Sequence, residues 1–174
     1  MCGSFYYANL YRGLYMNEKY MKAAIKEAKK AELKDEVPIG CVIVKNDQII
    51  ARGYNLRESK QLSIAHAEIM AIQKACKKLG TWRLEECELY VTLEPCPMCS
   101  GAIIQSRIKT VIYGASDKKG GCLGSCMNMY EIPGFNHYPN VMKGVLKEEC
   151  GALLTDFFRR KRENKKLKQM LVSE

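Results

Sequence analysis

The sequence predicts an α/β domain, and three observations carry that expectation. Glu88 to Thr92 reads as a buried strand, an apolar helix follows from Pro97, and Thr110 to Gly114 reads as another strand, so strand and helix alternate through mid-chain. Upstream, Gly40 to Lys45 and Gln48 to Tyr54 read as a hairpin turning at Asn46-Asp47. A length of 174 residues, 47% apolar and 27% charged, suits one domain with a substantial core.

Taken in order, residues 1–16 form an N-terminal extension. Phe5, Tyr6, Tyr7, Tyr11 and Tyr15 crowd there without an acidic residue or a helical period, and the basic start and long apolar core of a signal peptide are missing. Disorder is expected for this stretch, with a packed surface arm as the alternative. Asn17 caps a helix reaching about Lys34, whose stripe is Met21, Ala24, Ile25 and Ala28. After the hairpin, Asn55 to Ile64 is a polar loop that delivers the chain to His66, where a second helix begins with Ala65, Ile69, Ile72, Cys76 and Leu79 in helical spacing. The Gly- and Lys-rich stretch Asp117 to Ser125 reads as a mobile loop, with a helical turn near Met127 to Tyr130. Val141 to Leu146 reads as the last strand. Lys147 to about Lys168 reads as a closing helix packed through Cys150, Leu153, Leu154, Phe157 and Phe158, leaving a 169–174 tail. Neither an internal repeat nor a second domain is evident.

Composition narrows the function classes. No apolar run is long enough to cross a membrane. Nine cysteines without a signal peptide point to a reducing cytoplasm. Cys2, Cys41, Cys76, Cys87, Cys122, Cys126 and Cys150 read as small, mostly buried residues; a second metal site at Cys122 and Cys126 is disfavoured because no further histidine lies near. Between Arg159 and Lys168 stand seven basic residues and one acid, so this segment carries +6 of the chain's +9. Such a run is either a solvated face or a nucleic-acid contact.

The chemistry resides in Thr92-Leu93-Glu94-Pro95-Cys96-Pro97-Met98-Cys99 and Ala65-His66-Ala67-Glu68. Cys96 is the expected N-cap of a helix starting at Pro97, which puts Cys99 one turn along and near enough to share a metal. A helix N-terminus also favours the thiolate, the metal-binding form. Two thiolates and a neutral imidazole from His66 are the protein's share of a catalytic Zn2+ site with its fourth position open. Glu68, two residues beyond His66, is best used as the general acid/base rather than as a ligand. Glu94 is the other nearby carboxylate and reads as a loop residue.

His-x-Glu followed by Pro-Cys-x-x-Cys is the signature established for zinc-dependent base deaminases. With it, Glu36-Val37-Pro38-Ile39-Gly40, His66 to Ala71, Thr92 to Gly101, Ser106-Arg107-Ile108, Gly114 to Asp117, Phe135-Asn136-His137 and Asp156-Phe157-Phe158 resemble, in that order, the bacterial tRNA-specific adenosine deaminases, over roughly Asn17 to Lys168. The resemblance implies a cytidine deaminase-like fold: a three-layer α/β/α sandwich on a central mixed five-stranded sheet, occupying residues 17–168. It also makes Met16 the expected natural start. One Zn2+ per subunit is implied, with hydroxide attack on adenine C6 turning the wobble adenosine of an arginine tRNA anticodon into inosine and releasing ammonia. A homodimer is implied as well, with the Gly101 to Ile108 helix and the 117–130 loop at its interface. By motif position, Asn55 would hydrogen-bond the flipped nucleotide, Val37 and Leu93 would wall the base, and Asp117 with Lys119 would meet nearby sugar and phosphate. His137 would face the anticodon, although Tyr138 stands where relatives often carry a basic residue. Arg159, Arg160, Arg162 and Lys165 would hold RNA backbone. The alternatives are a small-molecule deaminase of the same fold, acting on guanine, cytosine or a pyrimidine nucleotide, and a non-catalytic zinc protein that binds RNA.

Overall fold

The computed structural model describes residues 3–172, with side chains over 17–171. The chain runs α1 (Gly3–Glu32), β1 (Gly40–Lys45), β2 (Gln48–Tyr54), α2 (Arg57–Lys60), α3 (Ala67–Leu79), β3 (Glu88–Leu93), α4 (Pro97–Gln105), β4 (Thr110–Ala115), a 3-10 turn (Met129–Glu131), β5 (Asn140–Lys143) and α5 (Lys147–Val172). The sheet order is β2-β1-β3-β4-β5. Strand β1 is antiparallel to β2 and β3, whereas β3, β4 and β5 are parallel.

Alternation along each central strand builds the three layers. Val42, Val44, Tyr90 and Ile112 face α1 and α5, meeting Tyr20, Met21, Ala24 and Cys150. Their neighbours Cys41, Ile43, Leu89, Val91, Val111 and Tyr113 face α3 and α4, meeting Ala67, Ala71, Ala75 and Ile103. The three central strands are therefore buried on both sides, as expected for crossover helices on both faces. Two glycines allow the closest approaches. A Cβ on Gly40 would lie 2.0 Å from the Ala24 carbonyl oxygen in α1, and one on Gly53 would lie 2.2 Å from that of Ala67 in α3.

The hairpin, both strands about α4 and the two predicted helix caps agree with expectation; Asn46 and Asp47 turn at φ 50° and 58°. Other expectations are corrected. The α1 backbone is helical from Gly3, so Asn17 is not its cap; Asn17 instead accepts from the Tyr90 hydroxyl at 2.8 Å. Met1, Cys2 and the side chains of residues 3–16 lie outside the described residues, as do Ser173 and Glu174 of the predicted tail. The 55–64 loop contains α2. The last strand starts at Asn140 and ends at Lys143, because Gly144 and Leu146 at φ 86° and 50° turn the chain into α5. Phe158 is exposed, while Cys150 and Phe157 anchor α5. Among the described residues no helix is long and apolar enough to cross a membrane.

Candidate functional site

Two helix starts converge at the C-terminal end of β3. After β2 the chain loops through α2 and is closed by the Leu56 amide donating to the Ala65 carbonyl at 3.0 Å, which delivers His66 as the N-cap of α3. Cys96 is the N-cap of α4, with Pro97 at the first helical position and Cys99 buried one turn on. Neither side chain caps the backbone of its own helix with a hydrogen bond. They turn toward each other: Nδ1 of His66 lies 3.7 Å from Cys96 Sγ and 3.6 Å from Cys99 Sγ.

The three donor atoms lie within 4.8 Å of one another, the one such group among the described residues. Zinc bonds of about 2.3 Å to sulfur and about 2.05 Å to nitrogen, at a tetrahedral angle, set a sulfur–nitrogen separation of about 3.6 Å. The observed spacing fits such an ion in both identity and distance. The Cys96 thiol is pushed down to about 4, chiefly by the hydrogen bond from Cys99 and, against its burial, by His66. Cys99 is pushed up by that same bond and by burial. Glu68, 4% exposed, has its carboxyl raised by burial and by the neighbouring Cys96 charge. The cluster thus combines a soft cation cradle with a buried, proton-holding carboxyl.

Two further buried carboxylates frame the cluster. Glu94, just before Pro95, is 2% exposed. Its Oε1 accepts from the amides of Leu123 (2.9 Å) and Ser125 (3.0 Å), and its Oε2 from the Asp117 amide (3.1 Å) and the Ser125 hydroxyl. The predicted mobile loop is therefore gathered onto one side chain, and Gly121 is pressed against it, with room for no Cβ: one would lie 2.4 Å from Glu94 Cδ. Glu36 is fully buried and holds the other side. It accepts from Asn55 Nδ2 at 3.2 Å and from the amides of Glu58 and Ser59 at 3.2 and 2.5 Å.

These two anchors bring together most of the predicted substrate set. Val37 follows Glu36 and is half-buried; Asn55 is 5% exposed. Leu93 ends β3 beside Glu94, and Asp117, whose Oδ1 accepts from the Lys119 amide at 2.9 Å, starts the clamped loop. The Lys119 side chain is exposed. His137 is not brought to this group. Its Nε2 lies 2.7 Å from the Ile108 carbonyl, before β4 begins, whereas Ala115 at the far end of β4 pairs with Leu93; about 20 Å of strand separates the two ends. Arg159, Arg160, Arg162 and Lys165 are exposed on α5. Arg159 pairs with Asp156 at 2.8 Å and Arg160 with Glu32, while Arg162 and Lys165 make no ion pair among the described residues. Sequence reasoning missed the roles of Glu36 and Glu94, whose partners lie 19 to 31 residues away.

Residues 16–162 match the model of the MafB19-like deaminase family. The chain is 60% identical to the tRNA-specific adenosine deaminase of Bacillus subtilis (strain 168) over 158 residues, covering 91% of this chain and 98% of that one. It is 47% identical to the tRNA-specific adenosine deaminase of Streptococcus pyogenes serotype M1 over 155 residues, 89% and 91% of the two chains. A solved structure from a study of A-to-I editing by tRNA:A34 deaminases at the wobble position superposes with a TM-score of 0.76 at 43% identity, covering 78% of this chain and 99% of that chain.

Proposed function

The chain belongs to the MafB19-like deaminases, alongside the tRNA-specific adenosine deaminases that it matches over nearly its whole length, and from that premise we propose that it hydrolyses the wobble adenosine of a tRNA anticodon to inosine, with release of ammonia. The observation that carries the reading is the triad His66, Cys96 and Cys99 at zinc spacing, with Glu68 buried beside it. A zinc ion held there would lower the pKa of a water toward neutrality. Glu68 would carry two protons in turn, one from the attacking water to the purine ring nitrogen and then the remaining hydroxyl proton to the departing amine, a role suited to a buried carboxyl whose proton affinity is raised.

The remaining residues position the substrate. Val37 and Leu93 wall the base, Asn55 hydrogen-bonds the nucleotide, and Asp117 and Lys119 meet the adjoining sugar and phosphate. His137, at the other end of β4, would meet the anticodon away from this pocket. Anticodon bases are unpaired, so presenting one costs little unstacking energy. The exposed cations of α5, chiefly Arg162 and Lys165, hold phosphate. An arginine tRNA is the first substrate to test, the cytoplasm is the compartment, and a homodimer is the assembly, with exposed Met127 in the 117–130 loop and exposed Ile132 just after it as part of its contact. Incubating zinc-loaded protein with an arginine-tRNA anticodon stem-loop and reading inosine at the wobble position tests the proposal, with Glu68→Ala as control. Inosine there, lost in Glu68→Ala, is the expected result. Ammonia from a free base or nucleoside, with none from the stem-loop, overturns it.

A further inference from the structure

We infer that Glu36 is a positioning residue that polarises Asn55, turning the amide nitrogen inward and the carbonyl oxygen outward, so that the pocket meets the bound nucleotide here with a hydrogen-bond acceptor. The inference rests on the proposed contact between Asn55 and the nucleotide and adds its chemical sense.

An asparagine amide can face a partner with either end, and its environment decides which. Here the partner is a carboxylate. Glu36 is fully buried, and each of its oxygens is already approached by N–H donors from Glu58 and Ser59. An ionised carboxylate only accepts, so the atom that Asn55 turns toward it at 3.2 Å must be Nδ2. The opposite orientation would set the amide oxygen against a buried anion, an unpaired arrangement costing more than a lost hydrogen bond.

The carbonyl oxygen is then the free end. It accepts no hydrogen bond from any described residue, yet no fully buried side-chain polar atom among the described residues lacks a partner. Asn55 is only 5% exposed, so Oδ1 is the polar atom through which it reaches the surface. The backbone holds it in place: the Asn55 amide donates to the Ile39 carbonyl at 3.0 Å, and the next residue ties the chain to Ala65, adjacent to His66.

An acceptor calls for a donor. An adenosine inside an RNA chain has two to offer, the exocyclic amine and the ribose 2′-hydroxyl, because its 3′ and 5′ oxygens are esterified. Either satisfies Oδ1.

A reciprocal exchange tests this on the full-length, metal-loaded protein with the wobble-adenosine stem-loop. Asn55→Asp sets two carboxylates against each other and is expected to lower kcat/KM about 100-fold, as for an uncompensated buried charge. Glu36→Gln lets either end of the Asn55 amide face inward and is expected to cost about 10-fold. In the double variant Glu36→Gln/Asn55→Asp, the glutamine donates inward and the aspartate keeps an acceptor outward. Activity is expected to return to within about tenfold of wild type, short of complete because the Glu58 amide loses its acceptor. Losses that simply multiply, while the double variant retains its metal and its thermal transition, overturn the inference, as does a Glu36→Gln variant with unchanged kcat/KM. A 2′-deoxyadenosine at the wobble position separates the two donors. If the hydroxyl is the partner, the deoxy substitution costs wild type activity but costs Asn55→Ala nothing further; if the amine is the partner, both lose equally. A wild-type protein inactive on the stem-loop would instead refute the proposed function, a different outcome from failed rescue.

Discussion

Glu94→Gln separates substrate holding from chemistry. The carboxylate of Glu94 takes four donors from the loop that carries Asp117 and Lys119. Glutamine keeps one carbonyl oxygen, sufficient for the amides of Leu123 and Ser125. Its nitrogen then faces the Ser125 hydroxyl, which can rotate and accept, and the Asp117 amide, which cannot. One charge-assisted bond, worth about 1.5–3 kcal/mol, is replaced by two opposed donors. A loop penalty of about 3 kcal/mol shifts its closed population by roughly a hundredfold, at 1.4 kcal/mol per factor of ten. Because Glu94 makes its hydrogen bonds to Asp117, Leu123 and Ser125 and none to His66, Glu68, Cys96 or Cys99, metal content and kcat at saturating stem-loop stay within a few-fold of wild type while KM rises by up to about 100-fold. Steady-state inosine formation reads the split, and hydrogen exchange at the amides of Leu123 and Ser125 reads the loop directly. Unchanged KM together with unchanged exchange at those amides would refute the reasoning.

Gly53→Ala drives a methyl into the first turn of α3, 2.2 Å from the Ala67 oxygen; it should cost about 1–3 kcal/mol in urea unfolding and, by displacing His66, reduce the metal retained after dialysis. Although burial opposes ionisation of Glu36, the Ser59 and Glu58 amides and the Arg57 charge hold its carboxyl below the ordinary 4.5. A carboxyl depressed in the folded state stabilises above its unfolded pKa and loses that contribution as pH falls through the folded value. The Tm gap between wild type and Glu36→Gln should therefore be steady from pH 8 to pH 5 and close below about pH 4.5. Arg162→Ala and Lys165→Ala should each flatten the slope of log KM against log salt by about 0.7–0.9, and Arg160→Ala by less, because Glu32 already holds that guanidinium. Cys99→Ser should abolish both metal retention and inosine formation, measured by metal stoichiometry and by nucleoside analysis of the product.

What the sequence made legible was what neighbouring residues decide among themselves. The Asn46-Asp47 turn, the caps at His66 and Cys96 and the strand before the cysteines each depend on a few consecutive residues, and each appears as predicted. The cluster of His66, Cys96 and Cys99 was legible because a metal-holding group admits few residue types and two of its three members lie one turn apart. Glu94 looked like a loop residue because its partners lie 23 to 31 positions downstream, across β4, and nothing near it in the chain signals burial. The loop itself looked mobile for the same reason: glycines and lysines suggest freedom until the side chain that restrains them is in view. The Asn17 cap failed differently, since a good capping residue does not stop a helix whose preceding residues continue it. That His137 lies at the opposite end of β4 from the Glu94 loop was not legible, because motif order along a chain carries no information about which end of a strand a later loop returns to.

The two buried carboxylates divide the labour of the molecule in a way that matters for its history. Each rim of the opening hangs from a single internal peg, and neither peg belongs to the cluster of His66, Cys96, Cys99 and Glu68. Rim sequences can therefore be lengthened, shortened or exchanged while the reactive centre keeps its geometry, provided each new rim still offers backbone N–H groups to its peg. A scaffold built this way acquires new clients by re-dressing its edges, and laboratory evolution of the molecule should gather productive changes in the 56–64 and 117–125 segments while leaving Glu36 and Glu94 untouched.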